Sequence, residues 1–357
     1  MGEQPTISSL RLQNFRSYRD ASFEFFEGVN IIIGPNASGK TNMLEGLVYV
    51  CVGGPFRAQD KENIKEKSAW ARLDGVTDKN QTRVVKLTRE GDKVKKEFEI
   101  DDEAKKRLPL IDTIPIVLFE PDDLQALTTS PEKRRNFIDS ILVQVDAEFG
   151  RQQREYSRVL AQRNRLLKQG RAAASSSIFA WNIRLSELGG HIVAKRLKLL
   201  TQLNKGLGES YSQLASKKHR VLLAYQSDLP PSQYASQMLK NLELLLEDDL
   251  VRGFTTIGPH RDDIGITINK APLYHHASRG ETRTTLLALK IQETRLLEAS
   301  RGQKPLLLLD DVFSELDGAR RRALTSFIKD YQSFITTTDA DIVDKKFTKA
   351  AKLISLG

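Results

Sequence analysis

The chain of 357 residues contains a single cysteine, Cys51, which excludes an internal disulfide, a cysteine-rich zinc site and a CxxC redox pair. No run of residues approaches the ~18 apolar residues that span a bilayer, and no basic segment followed by an apolar stretch opens the sequence. No group of His, Cys and acidic residues has the spacing of a zinc or nuclease centre. We therefore expect a cytoplasmic protein without a membrane partner.

The positive charge of the chain is concentrated in one segment. The formal net charge is +9, and residues 151–220 hold fifteen Lys and Arg against three acidic residues. Such an asymmetry is typical of a surface that binds nucleic acid, although a solvated helical face would have the same composition. The charge therefore favours a polyanionic partner and leaves the solvated face as the alternative.

Hydrophobic periodicity divides the chain into three parts. Residues 1–130 and 253–357 alternate strand and helix patterns, whereas residues 131–252 have almost only helical spacing. We predict strands at residues 10–15, 22–25, 29–33, 82–88, 94–100, 114–119, 263–268, 306–311 and 333–338, and helices at 42–50, 232–250 and 280–300. One long helix from Pro131 to about residue 167 and a second over residues 181–214 would form an antiparallel hairpin. The pattern predicts an α/β domain split by a helical arm.

Residues 34–41, GPNASGKT, match the phosphate-binding pattern GxxxxGK[ST] between an apolar strand and a helix. Glycine at 34 and 39 lets the backbone approach phosphate oxygens, Lys40 bridges the β and γ phosphates of ATP, and Thr41 binds Mg²⁺. The predicted nucleotide contacts in this segment are Gly34, Pro35, Asn36, Ala37, Ser38, Gly39, Lys40, Thr41 and Asn42. The sequence therefore predicts ATP and Mg²⁺ as ligands.

An apolar run at residues 306–309 ends in Asp310 and Asp311, which is typical of a buried parallel strand that delivers carboxylates to a ligand site. We predict that Asp310 holds the Mg²⁺, directly or through water. Asp311 would polarise the water that attacks the γ phosphate, where many related ATPases have glutamate. Because aspartate is shorter, we expect slow hydrolysis.

Motifs along nearly the whole chain resemble those of the RecF family of bacterial DNA replication and repair proteins. They are the phosphate-binding loop followed by NMLE at 42–45, NFRSY at 14–18, GPFR at 54–57, LFEPDDL at 118–124, PEKRRNFID at 131–139, GPHRDD at 258–263 and LDDVFSELD at 309–317. The resemblance implies an ABC-type ATPase head like those of SMC and Rad50, with a mixed sheet and a helical arm domain at residues 131–252. It also implies a weak DNA-dependent ATPase that clamps DNA as an ATP-dependent homodimer. RecO and RecR would be its partners in loading RecA at gaps, on duplex, gapped or single-stranded DNA.

The resemblance assigns further residues to the nucleotide. Ser278, Gly280 and Glu281 occupy the signature segment that completes the ATP site of a second subunit, with Ser278 as a catalytic contact to the γ phosphate. The family usually has glutamine where Glu281 stands. A simple helix cap, with Ser278 and Glu281 as a capping box, is the competing interpretation.

Other residues carry less specific assignments. Arg16, Ser17 and Tyr18 lie where related heads contact the adenine side, and Asp317 resembles the acid that communicates across the dimer. Thr338 and Asp339 offer no histidine for a relay, and Glu120 or Asp122 would stand in for a missing Q-loop glutamine. His260 matches a family motif, with a hydrogen-bonded structural histidine as the alternative.

Two other classes of protein share the phosphate-binding loop and the acidic strand. A transporter-type ATPase subunit would need an LSGGQ-like signature and a Q-loop, and an ATP-binding scaffold would have no significant turnover. The basic residues that would touch DNA are Arg57, Lys61, Lys65, Arg154, Arg158, Arg163 and Arg165, each of which could instead be merely solvated.

Overall fold

The computed structural model describes residues 5–55, 59–120, 123–172, 177–215, 219–338 and 351–356. The chain forms two compact units. Unit 1 comprises residues 1–123, 213–216 and 290–357, and unit 2 comprises residues 124–212 and 217–289. The three-part domain division at residues 130 and 252 stays a prediction.

The elements follow one another in the order that an interrupted α/β domain requires. The strands are β1 (Ile7–Phe15), β2 (Tyr18–Glu24), β3 (Val29–Ile33), β4 (Trp70–Thr77), β5 (Thr82–Glu90), β6 (Lys93–Ile100), β7 (Glu103–Lys105), β8 (Ile116–Phe119), β9 (Val221–Gln226), β10 (Asp263–Ile268), β11 (Ala271–Pro272), β12 (Leu306–Asp310), β13 (Ser333–Thr337) and β14 (Lys352–Ser355). The α-helices are α1 (Lys40–Val52), α2 (Asp60–Asn63), α3 (Asp123–Thr128), α4 (Pro131–Val145), α5 (Ala147–Gln169), α6 (Ile178–Ala215), α7 (Tyr234–Leu244), α8 (Leu246–Arg252), α9 (Leu273–His276), α10 (Arg279–Arg301) and α11 (Gly318–Ile328).

Unit 1 contains an antiparallel and a parallel sheet. The antiparallel sheet has the order β2-β1-β4-β5-β6-β7, and the parallel sheet has the order β14-β3-β13-β12-β8. Helix α1 shares one apolar core with strands of both sheets and is buried almost all round. Because β12 is buried along its whole length, residues 306–309 are apolar without alternation, whereas β13 is equally buried but includes Ser333, Thr336 and Thr337. The fold class predicted from the sequence, an α/β head with a helical arm, is confirmed, but the parallel and antiparallel strands lie in two sheets rather than in one mixed sheet.

Unit 2 is built on long helices and a small sheet of order β11-β10-β9. Helices α5 and α6 run antiparallel, because Arg184 bonds to Glu155 whereas Lys195 bonds to Asp146. The predicted hairpin is therefore confirmed. At 1.5 Å per residue, the 38 residues of α6 extend for about 57 Å.

Two glycines within α6 allow another helix to approach. A Cβ atom at Gly189 would lie 2.7 Å from Met238 Sδ, and one at Gly190 would lie 2.9 Å from Ala235 Cβ. Both neighbours belong to α7. The helix continues through these glycines because close packing compensates their low helix propensity.

The single helix predicted from Pro131 onward is wrong, because the structure has two helices that meet at Asp146. The backbone of Asp146 is extended, with φ −140°, and its Oδ1 accepts bonds from the N–H groups of Glu148 and Phe149 at 3.0 and 3.1 Å. An aspartate that caps a helix start in this way favours a new helix over continuation. Apolar periodicity runs through the break and therefore hid it.

Other boundaries also differ from the prediction. The helix predicted over residues 232–250 is divided into α7 and α8 at Leu245. Strands β4, β9 and β14 were not predicted. The hairpin of β5 and β6 is confirmed, with Gly91 at φ +64° in its tight turn.

Candidate nucleotide-binding site

The phosphate-binding loop joins β3 to α1 at the carboxyl edge of the parallel sheet. Gly39 caps α1 at φ 102° and Ala37 stands at φ 65°, so the loop uses conformations that most residues avoid. A Cβ atom at Gly39 would lie 2.8 Å from the Tyr18 hydroxyl, and one at Gly34 would lie 2.5 Å from the Leu356 carbonyl oxygen. Packing therefore requires glycine at both positions, and at Gly39 the backbone conformation requires it as well.

Lys40, the first residue of α1, points its ammonium group back into the loop. Nζ donates to the carbonyl oxygens of Gly34 at 2.6 Å and Pro35 at 2.8 Å, and the residue is only 9% exposed. The positive charge is thus held where the loop N–H groups and the helix N-terminus already create a positive potential. This concentration of donors is suited to a polyphosphate.

Thr41 and Asp310 meet across the edge of the parallel sheet. The Thr41 hydroxyl donates to both carboxylate oxygens of Asp310 at 3.0 Å, and Thr336 Oγ1 donates to Asp310 Oδ1 at 2.8 Å. Thr336 lies opposite Asp310 in the register of β12 and β13. The two positions predicted to bind Mg²⁺ are therefore in direct contact, although they are far apart in sequence.

Asp311 follows the end of β12 in a left-handed conformation, with φ 51°. Its N–H donates to Thr336 Oγ1 at 2.9 Å, which fixes the turn. Thr336 therefore orients both acidic residues. Sequence reasoning missed Thr336, because its strand has three hydroxyl residues and no local pattern marks the one that faces Asp310.

The residues of this site fit a magnesium nucleotide. Within the described part of the chain, Ser38 Oγ and Asp311 Oδ1 are buried polar atoms without a hydrogen-bond partner, and such groups are costly unless a ligand or water satisfies them. Hydroxyl and carboxylate oxygens are the ligands that Mg²⁺ prefers. Over the same residues no three His, Cys, Asp or Glu side chains converge as a metal site, so phosphate and water would supply the other ligands.

The turn between β1 and β2 packs on the start of α1. Tyr18 Oη donates to the Gly39 carbonyl oxygen at 3.0 Å, and Asn42 Nδ2 donates to Ser17 Oγ at 2.8 Å. Burial raises the pKa of Tyr18 to about 12. Ser17 and Tyr18 therefore lie beside the phosphate-binding loop, while their predicted contact with adenine stays a prediction.

Arg16 forms an ion pair with Glu45 of α1. Its guanidinium donates two parallel bonds of 2.8 Å to the carboxylate of Glu45, which is almost fully buried. The bond to Glu45 raises the pKa of Arg16. Arg16 thus joins the β1–β2 turn to α1, and its predicted nucleotide contact is not tested by this geometry.

Asp317 caps α11. One carboxylate oxygen accepts from the N–H of Arg320 at 2.9 Å, and the other forms an ion pair with the Arg320 side chain. The bond from the Arg320 N–H lowers the pKa of Asp317. The side chain is 54% exposed, which leaves it accessible to another subunit.

Ser278, Gly280 and Glu281 stand at the start of α10 in unit 2. Glu281 Oε2 accepts from Ser278 N at 2.8 Å and from Ser278 Oγ at 2.9 Å, while Glu281 N donates to Ser278 Oγ at 3.3 Å. The competing interpretation, a capping box, is therefore confirmed. The role of these residues toward a second subunit's nucleotide stays a prediction.

The motifs at residues 131–139 and 258–263 form an internal polar network of unit 2. Arg134 donates two bonds of 2.8 and 2.6 Å to Asp263, and Arg196 donates two bonds of 2.8 and 2.7 Å to Asp139. His260 Nδ1 lies 2.7 Å from Tyr156 Oη, and burial lowers the pKa of His260 to about 4. The structural interpretation of His260 is confirmed.

The predicted DNA contacts have different environments. The prediction that Arg163 contacts DNA is wrong, because its side chain is 0% exposed and donates to Asp249 Oδ2 at 2.7 Å. Lys61 pairs with Asp92, and Lys65 donates to the Ser17 carbonyl oxygen. Arg154, Arg158 and Arg165 are exposed. Three named positions, Arg57, Asp122 and Asp339, lie outside the described residues.

The two sheets around a buried helix, with a phosphate-binding loop at the start of that helix, define the nucleotide-binding head of the ABC-type ATPase fold. Solved SMC head structures share this fold: one bound to the C-winged helix domain of ScpA is 16% identical, with a TM-score of 0.54 over 95% of this chain and 90% of that one. A family profile described as an AAA domain matches residues 9–249. Among the helices of the described residues, none has both the length and the apolar character to cross a membrane.

Comparison with curated proteins specifies the family. The DNA replication and repair protein RecF of Staphylococcus carnosus is 32% identical over 97% of both chains, and RecF of Clostridium perfringens is 35% identical over 93% of this chain and 92% of its own. A solved structure of the recombination mediator protein RecF with ATP in the RecFOR pathway is 26% identical, with a TM-score of 0.84 over 96% of this chain and 94% of that one. The chain belongs to the RecF family, and the resemblance read from its motifs is confirmed.

Proposed function

We propose that this protein is an ATP-dependent DNA-binding ATPase of recombinational repair and replication maintenance. The observation that carries the proposal is the contact of Thr41 with Asp310 at 3.0 Å, beside a phosphate-binding loop of the required conformation. The likeness to a solved RecF structure with ATP supports the same ligand. A protein that acts on the bacterial chromosome works in the cytoplasm, the location we propose.

The loop binds ATP through its backbone and Lys40. The N–H groups of residues 36–41 surround the phosphates, and Lys40 exchanges its bonds to Gly34 and Pro35 for bonds to phosphate oxygens. Thr41 and Asp310 hold Mg²⁺, which neutralises phosphate charge when it is bound. Arg16 and Ser17 form the side of the site toward the adenine.

Asp311 orients the attacking water. Its buried Oδ1 has no hydrogen-bond partner among the described residues, so it is available to accept a proton from water. The backbone at φ 51° and the bond to Thr336 hold the carboxylate in place. Because aspartate extends less far than glutamate, hydrolysis is slow.

A second copy completes the site. Ser278 and Gly280 of one subunit face the γ phosphate bound by the other, and Asp317 contacts the neighbouring subunit. The Ser278 hydroxyl then donates to phosphate in place of Glu281, whose carboxylate continues to cap α10. ATP therefore joins two subunits, and hydrolysis separates them.

The dimer clamps DNA without sequence specificity through contacts to phosphates. RecO and RecR act with it to load RecA at gaps, in agreement with the description of the similar RecF structure as part of the RecFOR pathway. Duplex DNA is the ligand we propose, with gapped and single-stranded DNA as alternatives to be compared.

Phosphate release by wild type and Asp311→Asn tests the enzymatic part. General-base catalysis contributes typically 10²–10⁴-fold, so we expect the variant to release phosphate slower by about that factor while its ATP affinity is retained. DNA should stimulate the wild type. Equal background rates of the two proteins would contradict this proposal and support a scaffold that only binds ATP.

A further inference from the structure

The outward face of α5 carries a straight row of arginines. Arg154, Arg158 and Arg165 lie within about 40° of one another around the helix axis, at 100° per residue. Five of the six buried residues of the helix, Phe149, Tyr156, Val159, Arg163 and Leu167, lie on the opposite side, and the sixth, Gly150, has no side chain and lies beside Arg154. The three guanidinium groups therefore project into solvent along one line of about 16 Å, at 1.5 Å per residue.

In the described part of unit 2, no side chain neutralises this row. Within the described residues, Arg154, Arg158 and Arg165 form no ion pair or hydrogen bond with a side chain. The acid between them in sequence, Glu155, is bound by Arg184 of α6 at 2.5 Å, and Arg151 is paired with Glu148 at 3.2 Å. The row is thus a concentration of uncompensated positive charge.

A surface helix gains nothing from such an arrangement. Like charges at positions i and i+4, such as Arg154 and Arg158, destabilise a helix, whereas alternating signs stabilise it. A purely solvated face has no reason to exclude acidic residues along a line of this length. The arrangement therefore indicates a ligand that supplies the missing negative charge.

We propose that the row formed by Arg154, Arg158 and Arg165 is a contact surface for the phosphate backbone of duplex DNA. The proposal rests on the proposed function and adds to it the part of the chain that holds the DNA. A rigid row of about 16 Å is as long as about five base-pair steps of 3.4 Å, and over that distance duplex DNA presents phosphate groups from both of its helical strands. Arginine binds phosphate through two parallel bonds, and it reads no base sequence in doing so.

The size of the expected effect follows from counterion release. Each phosphate contact contributes about 0.9 to the slope of log affinity against log salt, so three contacts contribute about 2.7 per bound subunit. On the same relation, their loss lowers affinity at 0.1 M salt on the order of 10²–10³-fold. Both quantities can be measured by fluorescence anisotropy of a labelled duplex.

The variant with Arg154→Gln, Arg158→Gln and Arg165→Gln tests the row. A control with Lys93→Gln, Lys106→Gln and Arg107→Gln removes the same charge from exposed residues of unit 1 that have no partner among the described residues. We expect the slope of log DNA affinity against log salt to decrease by about 2.7 in the arginine variant but not in the control. The affinity of both variants for a fluorescent ATP analogue should be unchanged. Replacing the three arginines by lysine should retain most of the slope, because the charge remains.

Three results would overturn the inference. They are an arginine variant with the wild-type slope, a control that loses as much affinity as the arginine variant, and a variant that binds DNA normally but no longer binds phosphatidylglycerol vesicles. Wild-type protein that binds no duplex at any salt concentration would instead contradict the proposed function itself. The two failures are therefore distinguishable.

Discussion

At the scale of single residues, Arg163 illustrates the cost of a buried charge. Its guanidinium donates to Asn182, Asp249 and Thr255 at 2.7 Å each, and the side chains of Arg163 and Asp249 are both 0% exposed. Removal of one partner leaves the other charge buried without compensation, which typically costs about 3–5 kcal/mol.

We therefore expect Arg163→Met to lower the free energy of unfolding by about 3–5 kcal/mol, measured by urea denaturation. Arg165→Met is a matched control on the exposed side of the same helix and should change stability by less than about 0.5 kcal/mol. Replacing Arg163 and Asp249 together by Met and Leu should recover part of the loss. An Arg163→Met protein of wild-type stability would show that the pair is not buried in solution.

His260 makes stability depend on pH. Burial lowers its pKa to about 4 in the folded protein, whereas an unfolded chain has a histidine pKa of about 6.5. Between these values the unfolded state binds more protons, so stability is present above pH 6.5 and is lost as the pH falls toward 4. The full difference amounts to about 3 kcal/mol.

We expect His260→Gln to flatten the dependence of unfolding free energy on pH between about 6.5 and 4. Urea denaturation at several pH values measures this slope. At neutral pH the variant should lose the bond to Tyr156 and be less stable, and the two proteins should converge in acid. Parallel curves would mean that His260 is protonated in the folded state.

Residue identity alone predicted that the phosphate-binding loop and the acidic strand end meet, but it did not predict which arginines are buried. The loop at residues 34–41 and the acids at 310 and 311 form compact patterns, and the structure brings Thr41 and Asp310 into contact. Arg163 and Arg165 differ by two residues, about 200° around a helix, so composition could not separate a buried pair from a surface charge. Thr336 acts through strand pairing, which no local pattern specifies.

At the scale of elements, Asp146 determines where one arm helix ends and the next begins. Its carboxylate caps α5 and also accepts from Lys195 Nζ at 2.5 Å. Loss of a cap typically costs about 1 kcal/mol, with a range of about 0.5–2 kcal/mol. The ion pair with Lys195 adds a further contribution from a partly exposed position.

We expect Asp146→Ala to lower the free energy of unfolding by about 1–2 kcal/mol in urea denaturation. Asp146→Asn keeps a capping oxygen and should lose less, which separates the cap from the ion pair. Gln162→Ala, on the exposed side of α5, is the control and should have little effect. An Asp146→Asn protein as unstable as Asp146→Ala would assign the whole effect to Lys195.

Elements with strong periodicity and clear ends could be predicted from the sequence. The buried strands β3, β12 and β13 and the hairpin of β5 and β6 were predicted within a few residues. Helices α4 and α5 were merged because their apolar stripes are continuous across the cap. Edge strand β9 was missed because its stability depends on β10 and on Asn204, whose amide bonds to both the N–H and the carbonyl of Leu223.

At the scale of the whole molecule, the proposed ATP site is divided between two copies. The loop, Thr41, Asp310 and Asp311 belong to unit 1, whereas Ser278 belongs to unit 2. A second copy supplies Ser278 to the γ phosphate in the proposal, so ATP binding and dimerisation are the same event. We therefore propose that two copies of the chain form each ATP site together, and that they assemble in this way on DNA.

Analytical ultracentrifugation with ATP and duplex DNA tests this claim most directly. Wild-type protein should sediment as a dimer, whereas Lys40→Ala should remain monomeric because it lacks the phosphate contact. Ser278→Arg should also remain monomeric, because its long side chain blocks the second half of the site. A wild type that stays monomeric with ATP and DNA, or a Ser278→Arg protein that dimerises like the wild type, would contradict the account.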